Sequence, residues 1–321
     1  MTIKKSRKRV VSILLILTLL LSLMPAAAFA ADYQKVEVNG GKIKLSDGNY
    51  LANNSATDAK YSANEPAQYV AWYKNGVLTL NNYKGSYIEV GGIPKSDLIV
   101  KLKGNNIINS SYAAGITQNG GGGSITVTSD SSHGKLTINV SSDKQGAVSG
   151  INNTFVSGAI KGDVTIKGYA DVTIDAANTK ELGKSYGIFG KTVSVLDNAN
   201  VTIKSQTPKR PADAQCYGIF ADKDVTINTN GTIKIDVTNA GSGGAHSYGI
   251  SPNNYTLKLL KVEEMEIAWK KGRNTSEAGA PYVPKSASFD TKAYAINVDE
   301  TNCYASYRKG APHQVTAGNG K

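Results

Sequence analysis

Asp163, Asp171 and Asp224 each stand directly before a Val-Thr-Ile run. Carboxylates that return at fixed places in a chain could serve metal-assisted or acid–base cleavage. A calcium-assisted lyase gathers carboxylates around the ion and places a basic residue to take a proton. A hydrolase uses two facing carboxyl groups. Neither arrangement closes here. If equivalent runs stack at strand spacing, Asp163 and Asp224 share a phase two rungs apart, roughly 10 Å, against about 2.3–2.6 Å for a calcium–oxygen bond. Asp171 meets Asn200 in its column, one acid and one amide, and Asp222 beside Asp224 is a common solvated pattern. Glu263, Glu264 and Glu266 read as a solvated strand edge. His133 sits in "SSHGK", which does not reproduce the Gly-His-Gly of polygalacturonases; His246 lies in a Gly-rich loop and His313 near the end of the chain. Cys216 and Cys303 lack the further Cys and His ligands of a zinc site. No catalytic residue, metal ligand set or cofactor is assigned.

The runs themselves belong to a repeat. Gly-Ile returns at Gly115-Ile116, Gly150-Ile151, Gly187-Ile188, Gly218-Ile219 and Gly249-Ile250, with Tyr186, Tyr217 and Tyr248 ahead of the last three. Tyr294-Ala295-Ile296 reads as a worn sixth copy. Between triplets lie paired β-type runs that begin at Val164 and Val172, Val193 and Val201, Val225 and Ile233, and Leu257 and Met265. The second run starts eight residues after the first in all four repeats, and successive first runs are 29, 32 and 32 residues apart. A period in this range marks a solenoid.

Each run alternates apolar and polar residues, so one side is buried and the other wet. Gly and Asn sit at the corners. These features predict an all-β fold, a right-handed parallel β-helix with three strands per coil. A β-sandwich would explain short strands but not the constant offset. Stacking would align Asp175, Lys204, Asp236 and Ala268 on the wet side and the tyrosines on the triplet side. "GVLTLNN" and "DLIVKL" read as earlier, less regular coils, so the helix is placed at residues 76–308. Residues 31–75 lack the period, carry Trp72 and read as an irregular N-terminal cap, which a solenoid end requires. Residues 309–321 read as a polar tail.

Residues 1–30 have the layout of a secretory signal peptide: Lys4, Lys5, Arg7, Lys8 and Arg9, an apolar run from Val10 to Leu23, then Ala28-Phe29-Ala30. The apolar run is short for a membrane span. The expected location is extracellular, with cell-surface association an option and no membrane span in the mature chain. Without those five bases the net charge falls from +11 to +6, mostly lysine. Such a balance favours polyanionic partners, and the chain carries no nucleic-acid motif. In an oxidising compartment a Cys216–Cys303 disulfide is open, but a core of this size does not need one.

The loops between repeats leave after the second run and return at the triplet. A shared phase stacks them into one wall at one corner. It carries Lys209, Arg210, His246, Lys270, Lys271 and Arg273, with Trp269 alongside, and these are the candidate ligand-binding residues. Cations pair with uronate or phosphate, and an aromatic face carries a sugar ring.

The signal-like start, the cap before "GVLTLNNYKG", the "DLIVKLKGNN" segment and the "YGI" coils resemble secreted clostridial β-helix proteins described as carbohydrate-binding domain proteins. The resemblance covers roughly residues 35–300. It implies a pectate-lyase-like right-handed parallel β-helix without the lyase active site, binding plant or wall polysaccharide, with acidic glycans and bound calcium as options. The cap "SANEPAQYVAWYKNG" departs from that family's Asp-rich segment. The expected function is non-catalytic polysaccharide binding; a polysaccharide lyase and a structural or adhesive surface protein are the alternatives.

Overall fold

The computed structural model describes residues 35–55, 57–91, 97–119, 123–144, 146–153, 162–180, 183–207, 215–239, 246–252, 257–270, 294–299 and 304–309. The proposed signal peptide, Cys303, His313 and nearly all of the tail lie outside them. Among the described residues there is no helix, and the strands form three sheets. Each coil gives one strand to each sheet, so the chain is a β-solenoid with the three-strand coil that the period predicts.

The first-run sheet aligns Leu98, Ile125, Val164, Val193, Val225 and Leu257 in one parallel column. The second-run sheet aligns Leu136, Val172, Val201, Ile233 and Met265. The triplet sheet aligns Ile88, Ile116, Ile151, Ile188, Ile219 and Ile250. These columns are buried and form one continuous apolar core along the stack. Full burial of one such side chain contributes about 1.5–3 kcal/mol. The expected tyrosine column is present: the Tyr186 and Tyr217 rings stack at 5.1 Å, and those of Tyr217 and Tyr248 at 5.0 Å.

The triplet glycine has a steric cause. A Cβ on Gly115, Gly150, Gly187, Gly218 or Gly249 would clash with Cγ2 of Ile138, Ile174, Ile203, Ile235 or Ile267 respectively. Each isoleucine belongs to the second-run strand of the following coil. A Cβ on Gly218 would also come within 2.5 Å of the Gly249 carbonyl oxygen. The glycine lets one coil settle on the next.

The cap completes two sheets with antiparallel strands. Lys35–Val38 pairs with Ile88–Gly91 at the edge of the triplet sheet. Ala71–Lys74 pairs with Val77–Asn81, and Tyr50–Leu51 pairs with Ala71–Lys74, at the edge of the first-run sheet. At the other end, Tyr304–Lys309 pairs antiparallel with Glu264–Lys270, and Tyr294–Asp299 pairs antiparallel with Tyr304–Lys309. The Tyr294-Ala295-Ile296 triplet is therefore not a sixth copy in the triplet sheet. It sits in a hairpin at the margin of the second-run sheet. Pairing and covering of this kind blunt edges that would otherwise recruit other chains.

Gly218→Ala is expected to destabilise the fold by about 1–3 kcal/mol, the usual cost of overpacking a well-filled site. Denaturant unfolding of Gly218→Ala, Ile235→Ala and the double variant checks it. Removing Cγ2 of Ile235 should make the pair less damaging than the sum of the single changes.

Candidate functional site

The strands that flank the expected loop corner align from coil to coil, while the loops themselves, at 181–182, 208–214, 240–245 and 271–293, lie outside the described residues. Strands Asp171–Asn178, Asn200–Thr207 and Thr232–Asn239 run towards it, and Lys184–Gly190, Gln215–Ala221 and His246–Ser251 leave it. Lys184, Gln215 and His246 are consecutive register partners, so the chain re-enters every coil at one place. Lys184 is exposed there. Lys180, also exposed, donates from Nζ to the Lys144 carbonyl at 3.2 Å.

The candidate residues distribute unevenly. Lys209, Arg210, Lys271 and Arg273 lie outside the described residues. His246 opens a triplet-sheet strand, and Lys270 closes the last parallel second-run strand. Trp269 does not stand alongside the wall. It is 4 % exposed, belongs to the core and is the register partner of Val237. Strand alternation is the reason: Met265, Ile267 and Trp269 point inward together. The Trp269 Nε1 is buried and has no hydrogen-bond partner among the described residues.

Behind the corner, Cys216 is a free, buried thiol 3.3 Å from Ser205 Oγ. Ser205 donates to Ser185 Oγ at 3.0 Å, and Ser185 donates to the Ala176 carbonyl at 2.8 Å. Burial pushes the Cys216 thiol up to about 12 from 9.0. A protonated thiol so deep in the coil is a packing group rather than a nucleophile.

The carboxylates of the repeat each have a local partner. Asp163 accepts from Thr192 Oγ1 at 2.8 Å, Asp171 lies 3.8 Å from Lys135 Nζ, and Asp224 lies 2.6 Å from Lys258 Nζ. Among the described residues no cluster of three or more His, Cys, Asp or Glu is placed to hold a metal ion. The aligned Asp175, Lys204, Asp236 and Ala268 column is present.

That column extends upstream into a feature the sequence reading missed. Asn109 and Asn139 precede Asp175 in the same register. Here the wet side opens into a groove of about 610 Å³, lined among others by Asn109, Asn139, Ser141, Asp175 and Gln206. Asn139 Nδ2 donates to Asn109 Oδ1 at 2.8 Å, and Gln206 Nε2 donates to Asp175 Oδ1 at 3.1 Å. The groove crosses several coils and presents amides, hydroxyls and one carboxylate. Such groups suit a hydroxyl-rich ligand. The sequence signal was the column continued upward through "NNIINS" and "KLTINVSS".

No family model, curated protein or solved structure matches the chain. The solenoid stands on its own geometry.

Titration of buried groups yields a stability test. Burial raises Tyr73, Tyr83, Tyr186 and Tyr307 to about 12 from 10.0, alongside Cys216. The folded chain therefore keeps protons that the unfolded chain releases between about pH 9 and 12. Stability from these groups is complete below that window and is lost as pH rises through it. Thermal melts should show a falling midpoint from pH 9 upward, and iodoacetamide at pH 8 should label Cys216 only after unfolding.

Proposed function

We propose that this protein is a non-catalytic polysaccharide-binding β-solenoid that works outside the cell and favours acidic glycans. The open polar groove along the second-run sheet carries the reading. It is built from side chains on rigid parallel strands, so its donors and acceptors are ordered before a ligand arrives. It also extends along the stacking direction, which suits a polymer better than a compact metabolite. The signal-like start supports export, and the net charge of +11, or +6 beyond residue 30, supports an anionic partner. The likeness in style to clostridial carbohydrate-binding β-helix proteins points the same way. The lysines and arginines of the loop segments, Lys209, Arg210, Lys270, Lys271 and Arg273, add cations for that partner in this reading.

The purified protein should sediment with pectin and other acidic polysaccharides, and raised salt should release it because surface ion pairing is screened. Retention in the supernatant across pectin, cellulose and cell-wall preparations would remove the reading. Alanine at Lys209, Arg210, Lys270, Lys271 and Arg273 should lower binding to the acidic polymers while the unfolding transition stays in place. Unchanged binding would remove the corner from the ligand surface.

A further inference from the structure

A separate pocket lies on the wet side of the first-run sheet, where the cap joins the solenoid. In strand Ala71–Lys74, Ala71 and Tyr73 face inward, while Trp72 and Lys74 face outward. Across the sheet Tyr50 pairs with Trp72, Trp72 with Thr79, and Thr79 with Lys101. The Trp72 indole lies parallel to the Tyr50 ring, with centroids 5.0 Å apart. Tyr69 meets Tyr50 edge-on at 5.2 Å. Tyr50 thus covers one indole face and braces it. The other face looks along the sheet towards Thr79 and Lys101, where a cavity of about 300 Å³ is lined by Trp72, Val77, Thr79 and three lysines, Lys74, Lys101 and Lys103.

The charges at this cavity do not cancel fully. Lys101 is paired with Asp130 at 2.5 Å. Lys103 Nζ donates to the Tyr69 hydroxyl at 3.2 Å, with Glu65 in its field. Lys74 has no ion-pair partner among the described residues. Three cations thus stand against Asp130 and Glu65, next to a braced indole.

We propose that this pocket is a subsite for one carboxylated sugar ring, which lies on the free face of Trp72 and directs its carboxylate to Lys74 and Lys103. The inference rests on the polysaccharide reading and specifies where an acidic residue docks. An indole presents a broad apolar face at little entropic cost, and a carboxylate gains charge-assisted hydrogen bonds from ammonium groups. The volume is at the small end of ligand pockets, the scale of a single ring rather than a chain. Thr79, on the cavity floor, is only 2 % exposed, so a ligand would rest over a formed surface.

Tetragalacturonate and its methyl ester, titrated into the purified protein by calorimetry and tryptophan fluorescence, test the subsite. Trp72 is one of only two tryptophans, and the other, Trp269, is in the core. Tetragalacturonate should bind and change the fluorescence, and Trp72→Phe, which keeps a ring against Tyr50, should abolish that change. Lys74→Gln with Lys103→Gln should weaken binding about tenfold or more, with an unaltered melting temperature, and the methyl ester should bind the unaltered protein about as weakly. Equal binding by the double variant would overturn the subsite, and the lysine stems would then merely cover the indole, leaving the polysaccharide reading in place. Failure of the unaltered protein to bind tetragalacturonate would also overturn the subsite, and the polymer sedimentation would then judge the wider reading on its own.

Discussion

Every triplet glycine faces an isoleucine methyl from the coil that follows it, with no room for a Cβ between them. Gly187 against Ile203 and Gly218 against Ile235 are two links of one chain of contacts that runs the length of the triplet side. The rest of the architecture depends on it. A side chain at these positions would hold adjacent coils apart, and the hydrogen bonds of all three sheets would lengthen together. With the glycine in place, the columns of Val, Ile and Leu close, and the Tyr186, Tyr217 and Tyr248 rings come to ring-stacking distance. The Tyr-Gly-Ile beat is therefore a packing rule: a ring to stack, a gap to fill and an apolar side chain for the core.

Stacking of this kind decides where chemistry can be displayed. A position that points outward in one coil points outward in the next, about 4.8 Å away. Single residues thus become columns. Asn109, Asn139 and Asp175 make one edge of the groove because their strands share a register, although they are far apart in sequence. The same rule keeps Asp163, Asp171 and Asp224 apart, each with its own Thr or Lys partner. A regular solenoid repeats a ligand-facing group more readily than it converges several on one point.

Much of this was legible in the sequence because the period was kept. The constant offset between paired runs located Val164, Val193 and Val225 in one column, and the structure places them there. The pattern loses its power where the period weakens. The Tyr294 triplet matched by residue type, yet its strand pairs antiparallel in the closing hairpin, and no residue type specifies that direction. Trp269 stands next to Lys270 in the sequence and so reads as alongside the loop wall, but strand alternation turns it inward. The groove is hard to read from sequence because its upstream members, Asn109 and Asn139, lie in coils without the Tyr-Gly-Ile mark. The Trp72 pocket forms where antiparallel cap strands meet the first parallel strands of the solenoid, and the placing of Tyr50, Trp72, Thr79 and Lys101 side by side depends on pairings that no local pattern reveals.

Under the proposed reading, a scaffold of this shape would bind through many weak places rather than one strong one. Ordering a long flexible partner is costly, and an exposed ion pair returns little by itself. Each further contact along the same polymer, however, becomes intramolecular once the first is made, and the effective concentration rises accordingly. The groove on the second-run sheet and the indole pocket on the first-run sheet lie on different sides of the same rigid stack. A single straight chain cannot fill both at once without passing around the coil. Occupation of both by an acidic polysaccharide would therefore require a chain that wraps, or two chains, and in the second case the solenoid would cross-link the polymer it binds.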